Sequence, residues 1–309
     1  MIARRGAALG LWLALACRPT DPTSPSPPSG ASADGIDVDD PRSFVQLRQA
    51  HPTRLTRHGP STGKYEDWPP PDGAQRIEYE SDGRTLWAWW SVPETTGPKP
   101  PVLVYFHGAF SLTPEDFAKT RPFRKAGYAV LTPTLRGENG NDGDLELLWG
   151  EVDDAVAAIE WAAAQPNVDG SHVYAIGHSI GGGVAALVSL RPDAPVRITG
   201  SVGGIYQPAT FRRWADSEGN RALIRFDATI PTEGQLRTLG DNVSRMVHRH
   251  VAYIGDDDTW FHPNADAVAS AAVAHGAPFP THRVPGDHMS SLSPGLRAFL
   301  AVIEEDRTR

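Results

Sequence analysis

Cysteine occurs once, as Cys17, so no disulfide within the chain can brace the fold. Long runs of lysine and arginine are missing and the formal net charge is −8, which leaves no electrostatic footprint for nucleic acid and excludes that class of partner. No apolar run approaches the ~20 residues needed to cross a bilayer. Near the N-terminus such a run, "GAALGLWLALA", extends only from Gly6 to Ala16. No segment repeats at a fixed period, which argues against a solenoid or propeller. What remains is ordinary for a soluble globular protein: 40% hydrophobic and 21% charged residues, enough to build a sizeable core.

The first residues differ from the rest. "MIARR" is a positive opening, the short apolar run follows, and small residues lead up to Cys17. This pattern resembles a bacterial lipoprotein signal, although its leucine, Leu13, stands one place early. The resemblance implies a signal at residues 1–17, a lipid on Cys17 and a location in the cell envelope, with the membrane touched only through that anchor. Cleavage near Ala16 with release as a secreted or periplasmic protein is the alternative, and a buried helix with a core thiol is another. Residues 18–40 begin "RPTDPTSPSPPSGASADG", too polar and proline-rich to offset the entropy of ordering, and read as a tether. From residue 41 to 309 no second linker interrupts the chain, so this span reads as one domain. A short helix should open it, with Asp40 as N-cap and Pro41 in the first turn.

Strand and helix patterns then alternate. Strands are expected at Arg76 to Glu80, Thr85 to Val92, Val102 to Phe106, Ala129 to Pro133, His172 to Ile176, Ile198 to Val202 and His250 to Ile254. The first two, joined through Asp82-Gly83, suggest an antiparallel hairpin. The clearest helix covers 145–164, where Val152, Val156, Ile159 and Ala163 recur on one face. Apolar strands separated by helices indicate an α/β fold with a mostly parallel, doubly wound sheet and helices on both faces.

Within that pattern "AIGHSIGGG", residues 175–183, places Ser179 between a strand and a helix rich in small residues. A serine presented on so sharp a turn needs glycine at 177 and 181, where side chains would meet neighbouring backbone. The Ile180 N–H would stand at the helix N-terminus, where it can stabilise developing negative charge. A serine hydroxyl is a weak nucleophile, so a base and an orienting acid are required. Downstream, "GDDDTWF" carries three aspartates after a strand and "VPGDHMSSL" carries His288 ahead of the last helix.

From about residue 76 onward the chain resembles an α/β-hydrolase, closest to the group of prolyl-oligopeptidase catalytic domains and dienelactone hydrolases. The matching stretches are "PVLVYFHGAF", "LRGENGN", the helix holding Asp153 and Asp154, "GHSIGGG", "GDDDTWF" and "GDHMSS", in that order. The resemblance implies the catalytic residues Ser179, Asp258 and His288, with Asp256, Asp257 and the remoter Asp241 as rivals for the acid. It also implies an oxyanion hole from the backbone N–H groups of Ile180 and Ala109, with Phe110 as the alternative to Ala109. No cofactor is implied. His248 and His250 share one strand face, as two metal ligands could, but no third ligand completes a set and no metal is assigned. Trp87, Trp89 and Trp90 read as sheet packing.

The span from about 205 to 248 is long for a link between strands, and in this fold an insertion there forms a small cap. Tyr206, Trp214 and Trp260 are therefore candidate substrate contacts, with Phe211 beside them. A large propeller precedes prolyl-oligopeptidase catalytic domains, whereas only a short folded stretch does so here. Dienelactone hydrolases use cysteine, and a haloalkane dehalogenase would carry aspartate at 179. The expectation is a serine hydrolase cleaving carboxylic esters. The alternatives are an exopeptidase or aminopeptidase acting on short peptides, and, in another class, a non-catalytic surface-lipoprotein binding module.

Overall fold

A computed structural model describes residues 35–62 and 65–308. The expected signal, Cys17 and most of the expected tether therefore lie outside the described residues. The last part of the expected tether does not behave as one: Ile36 is buried in the core, and its N–H donates to the Gln235 side chain at 2.7 Å. The first helix, α1 (Phe44–Ala50), starts later than expected. Its N-cap is Ser43, whose hydroxyl accepts from the Gln46 N–H while the Gln46 side chain accepts from the Ser43 N–H. Asp40 instead pairs with Arg42.

Eight strands form one sheet: β1 (Gln75–Ser81), β2 (Arg84–Ser91), β3 (Pro101–Phe106), β4 (Ala129–Pro133), β5 (Asp169–His178), β6 (Ile198–Val202), β7 (Arg249–Gly255) and β8 (Thr281–Val284). Their order across the sheet is β1-β2-β4-β3-β5-β6-β7-β8. The β1–β2 hairpin joins β4 in antiparallel fashion, and from β4 to β8 every pairing is parallel. All seven expected strands are present, and β8 is additional.

Alternation along the central strands divides two apolar layers. Val102, Val104 and Phe106 of β3, with Val173 and Ala175 of β5, face one layer; Leu103, Tyr105, Tyr174 and Ile176 face the other. Short helices α2 (Pro114–Lys119) and α3 (Arg121–Lys125) follow β3. Helix α4 (Gly150–Ala163) packs on β1, β3 and β5, and α5 (Ile180–Val188) packs on β5 and β6. After β6 the chain makes a helical insertion with α6 (Pro208–Ala215) and α7 (Pro231–Gln235), at the place expected for a cap. Helix α8 (His262–His275) lies by β7 and β8, and α9 (Leu292–Arg307) covers the other face with Phe299 fully buried. Trp87 and Trp89 cluster with Leu112 and Phe117, while Trp90 meets Trp161 edge-on, so these tryptophans do pack the sheet.

The expected helix 145–164 loses its first turn. Leu147 and Leu148 both have left-handed backbone, at φ 56 and 64. The buried Glu151 carboxylate draws the loop into this path by accepting the N–H groups of Glu146, Leu147 and Trp149. Arg48 holds the same loop from outside, donating to the carbonyls of Leu148 and Trp149.

Candidate active site

Ser179 sits between the end of β5 and the start of α5 with φ 53 and ψ −119, a conformation that a non-glycine residue adopts only under constraint. Neighbouring backbone supplies the constraint. A Cβ on Gly177 would overlap the Gly181 carbonyl, and one on Gly181 would overlap the carbonyls of Phe106 and His107. The Ser179 N–H donates to Val202 O at 3.0 Å, tying the turn to β6. Ile180 is the first residue of α5, so its N–H has no acceptor within the helix.

The structure brings the three sequence-distant groups into one chain of hydrogen bonds. His288 Nε2 lies 3.0 Å from Ser179 Oγ, and His288 Nδ1 lies 2.9 Å from Asp258 Oδ2. A carboxylate can only accept, so Nδ1 carries the proton and Nε2 presents its lone pair to the serine hydroxyl. Asp258 is 6% exposed and its N–H closes a turn on Gly255 O, whereas Asp256 and Asp257 are exposed to solvent. Asp241 belongs to the insertion and accepts from Gln235. Phe261 stacks on the His288 ring at 4.6 Å with a 12° tilt.

The loop after β3 completes this end of the sheet. Ala109 has φ 59, which turns the backbone there, and a Cβ on Gly108 would come within 2.9 Å of His178 Nδ1. Behind the loop, His107 Nε2 stands 3.2 Å from Glu138 Oε2, an ion-pair distance at an angle that makes no hydrogen bond. Burial is the largest single influence and pushes the His107 pKa down, but the neighbouring Glu138 and Asp116 carboxylates and the Gly108 carbonyl together raise it to about 9.

The candidate substrate contacts separate. Tyr206 is fully buried, its hydroxyl 2.5 Å from Ser201 Oγ, so it anchors the insertion to β6 and is not open to a substrate. His250 belongs to the same network, with Nδ1 at 2.8 Å from Thr199 and Nε2 at 2.6 Å from Ser201; burial holds it neutral, its pKa lowered to about 3. His248 turns instead to the Arg191 carbonyl, so the two histidines share no ligand. Trp214 is half-buried against Phe211 and Phe110, which puts it next to the Ala109 loop. Trp260 meets Phe261 edge-on at 4.6 Å and so stands one ring away from His288. Beside them Phe110, Leu145, Leu147, Leu148, Ile180 and Val184 line a small apolar crevice.

His178, Phe261 and the His107–Glu138 pair were not singled out by sequence reasoning. Only His178 carried a signal, as the residue between Gly177 and Ser179.

A mostly parallel sheet with an antiparallel hairpin at one edge, a strained strand-to-helix serine and Asp and His on later strand ends define the α/β-hydrolase fold. Residues 82–222 match the sequence profile of the X-Pro dipeptidyl-peptidase (S15) family, a span under half the chain that includes Ser179 but neither Asp258 nor His288. An uncharacterized protein of Mycobacterium tuberculosis is 29% identical over 145 residues, 45% of this chain and 51% of that protein. The uncharacterized peptidase YtmA of Bacillus subtilis is 25% identical over 127 residues, 40% of this chain and 49% of that protein. The chain thus spans about half the length of these curated relatives.

Among solved structures, a puromycin-hydrolyzing peptidase of Mycobacterium tuberculosis superimposes with a TM-score of 0.64 at 18% identity, covering 76% of this chain and 40% of that one. Porphyromonas gingivalis dipeptidyl peptidase 4 gives 0.59 at 21% identity over 70% of this chain and 32% of that one. The acylaminoacyl peptidase of Pyrococcus horikoshii gives 0.60 at 17% identity over 76% and 40%. These likenesses show that the chain shares the α/β-hydrolase fold.

Proposed function

We propose that this protein is a serine hydrolase that cleaves amide bonds in short peptides through an acyl-enzyme on Ser179. The observation that carries the reading is the chain from Asp258 through His288 to Ser179, with links of 2.9 and 3.0 Å, at a serine held at φ 53. The profile match and the peptidase neighbours favour the exopeptidase alternative over ester cleavage as the main activity.

In the proposed reaction Ser179 Oγ attacks the carbonyl carbon as His288 Nε2 takes its proton, and Asp258 stabilises the imidazolium. The N–H groups of Ile180 and Ala109 hold the oxyanion. His288 then gives the proton to the leaving nitrogen, and the carbon–nitrogen bond breaks. A water, deprotonated by His288, attacks the acyl carbon and releases the acid with Ser179 restored. Phe110, Trp214 and Trp260 suit an apolar side chain beside the scissile carbonyl.

The test is a fluorophosphonate probe together with a panel of aminoacyl p-nitroanilides and p-nitrophenyl esters. Labelling at Ser179, lost in Ser179→Ala, with turnover of the anilides, is the expected result. Labelling with turnover of esters alone would restore the esterase reading. No labelling and no turnover would leave the fold as a binding module. The lipid anchor on Cys17 is also part of the proposal, supported by the signal-like N-terminal sequence. Palmitate incorporation that disappears in Cys17→Ser is expected, and a wild-type chain that takes up no label would remove it.

A further inference from the structure

His178 occupies the position before the proposed nucleophile, and from there it touches two other loops of the site, those carrying His288 and Gly108. Its Nε2 lies 2.9 Å from the backbone carbonyl of His288, and its ring sits 5.0 Å from the His288 ring at 33°. Its Nδ1 edge lies against Gly108, so closely that no Cβ fits there. The side chain is 3% exposed. Ser291 Oγ reaches the same carbonyl only at 3.5 Å, which makes His178 the short donor to it among the described residues.

We infer that His178 is a positioning residue for the proposed reaction: as a neutral imidazole it donates Nε2–H to the His288 carbonyl and holds the base loop in register with Ser179 and Ala109. The inference rests on the reading of Ser179 as nucleophile. The backbone carbonyl has no proton to give, so the bond exists only while Nε2 is protonated. Burial, and then the neighbouring His288 ring, lower the His178 pKa to about 4; the bond to the His288 carbonyl works against this, and Lys119 and Asp116 act more weakly and in opposite senses. Neutral His178 then has one N–H, and the geometry places it on Nε2. Nδ1 is left as the bare edge that Gly108 approaches. One side chain thus connects the base loop to the Ala109 loop through the residue adjoining the nucleophile. A catalytic base displaced by a fraction of an ångström loses much of its rate.

The test compares His178→Phe, which keeps a ring and removes the donor, with His178→Gln, whose amide can return an N–H near the Nε2 position. With Phe, kcat on the best substrate should fall about 10- to 100-fold while KM stays within about twofold. The rate of fluorophosphonate labelling at Ser179 should fall in parallel, with an unchanged far-UV dichroism spectrum. Gln should recover at least half of the lost rate on a logarithmic scale. Wild-type kcat and labelling in the Phe variant, or a Gln variant no better than Phe, would overturn the proposal. Should the Phe variant fail to fold, nitrogen NMR of the wild type decides instead. His178 must be neutral and protonated on Nε2 from pH 5 to 8, and a charged ring or the other tautomer refutes the hydrogen bond. A wild type that takes no probe at Ser179 would refute the proposed function, while the tautomer measurement would still judge His178 separately.

Discussion

The sharpest prediction concerns Asp258. Replacing its carboxylate with an amide changes no volume, but one of two atoms must then face His288 Nδ1, 2.9 Å away. If the amide oxygen faces it, Nδ1 keeps its proton and only the stabilising charge is lost. If the NH2 faces it, the imidazole proton moves to Nε2, which then points an N–H at Ser179 and can no longer accept the serine proton. The second outcome corresponds to a fall of about 10⁴ in kcat, and each tenfold step represents about 1.4 kcal/mol of transition-state stabilisation. Loss of charge alone should cost about 10². Asp258→Asn is therefore expected to lower kcat by between about 10² and 10⁴ at pH 7.5, with KM little changed. The exposed Asp256 and Asp257 provide matched controls, and their Asn variants should retain turnover within about threefold. The assay is steady-state hydrolysis of the best p-nitroanilide or p-nitrophenyl ester, with fluorophosphonate labelling as an independent measure of Ser179 reactivity. An Asp258→Asn enzyme within threefold of wild type, or an Asp257→Asn enzyme equally impaired, would refute the assignment of the acid.

Other outcomes follow from the packing. Gly181→Ala must push α5 away from the carbonyls of Phe106 and His107, so we expect loss of about 3 kcal/mol or more in urea unfolding together with loss of turnover; near-normal stability would contradict the backbone contact. His250 has a folded pKa of about 3 against an unfolded value near 6.5, so below pH 6.5 the unfolded chain binds a proton that the folded one refuses. This group alone should reduce stability by about 2 kcal/mol between pH 6.5 and pH 5, and the reduction should be absent from His250→Gln; equal pH slopes for the two proteins would disprove it. Trp214→Ala removes a ring that packs on Phe110 beside the Ala109 loop. KM for apolar substrates should rise about tenfold with kcat within about threefold, and an unaltered KM would exclude Trp214 from the substrate side.

Much of the fold was legible because the strand signals were long and apolar, from β3 through β7. Strand β8 was not, since only Val284 of Thr281–Val284 is buried and a four-residue polar edge strand carries no periodic signal. The start of α4 was misread for another reason: 145–149 has helical composition, but the Glu151 carboxylate takes N–H groups there and imposes left-handed backbone. Ser179 and His288 stood out through order and strand-end position, whereas among Asp256, Asp257 and Asp258 only the resemblance to α/β-hydrolases singled out Asp258. The role of His178 could not be found, because its partner is a carbonyl 110 residues further along the chain. Tyr206 shows the opposite error, an aromatic side chain assigned to a ligand when its hydroxyl already had a buried partner in Ser201.

The loop at Leu147 and Leu148 separates two kinds of inheritance. Its backbone path is dictated from outside, by a carboxylate on α4 and a guanidinium on α1, while its two leucine side chains project into the crevice beside Ile180. Left-handed backbone costs any residue with a Cβ about 1–2 kcal/mol. Here the bonds from Glu151 and Arg48 to the loop backbone offset a cost that every side chain except glycine pays at 147 and 148. Exchange of one unbranched side chain for another at 147 or 148 therefore changes the volume of the crevice on an unchanged backbone path, whereas valine, isoleucine or threonine there would strain the loop itself.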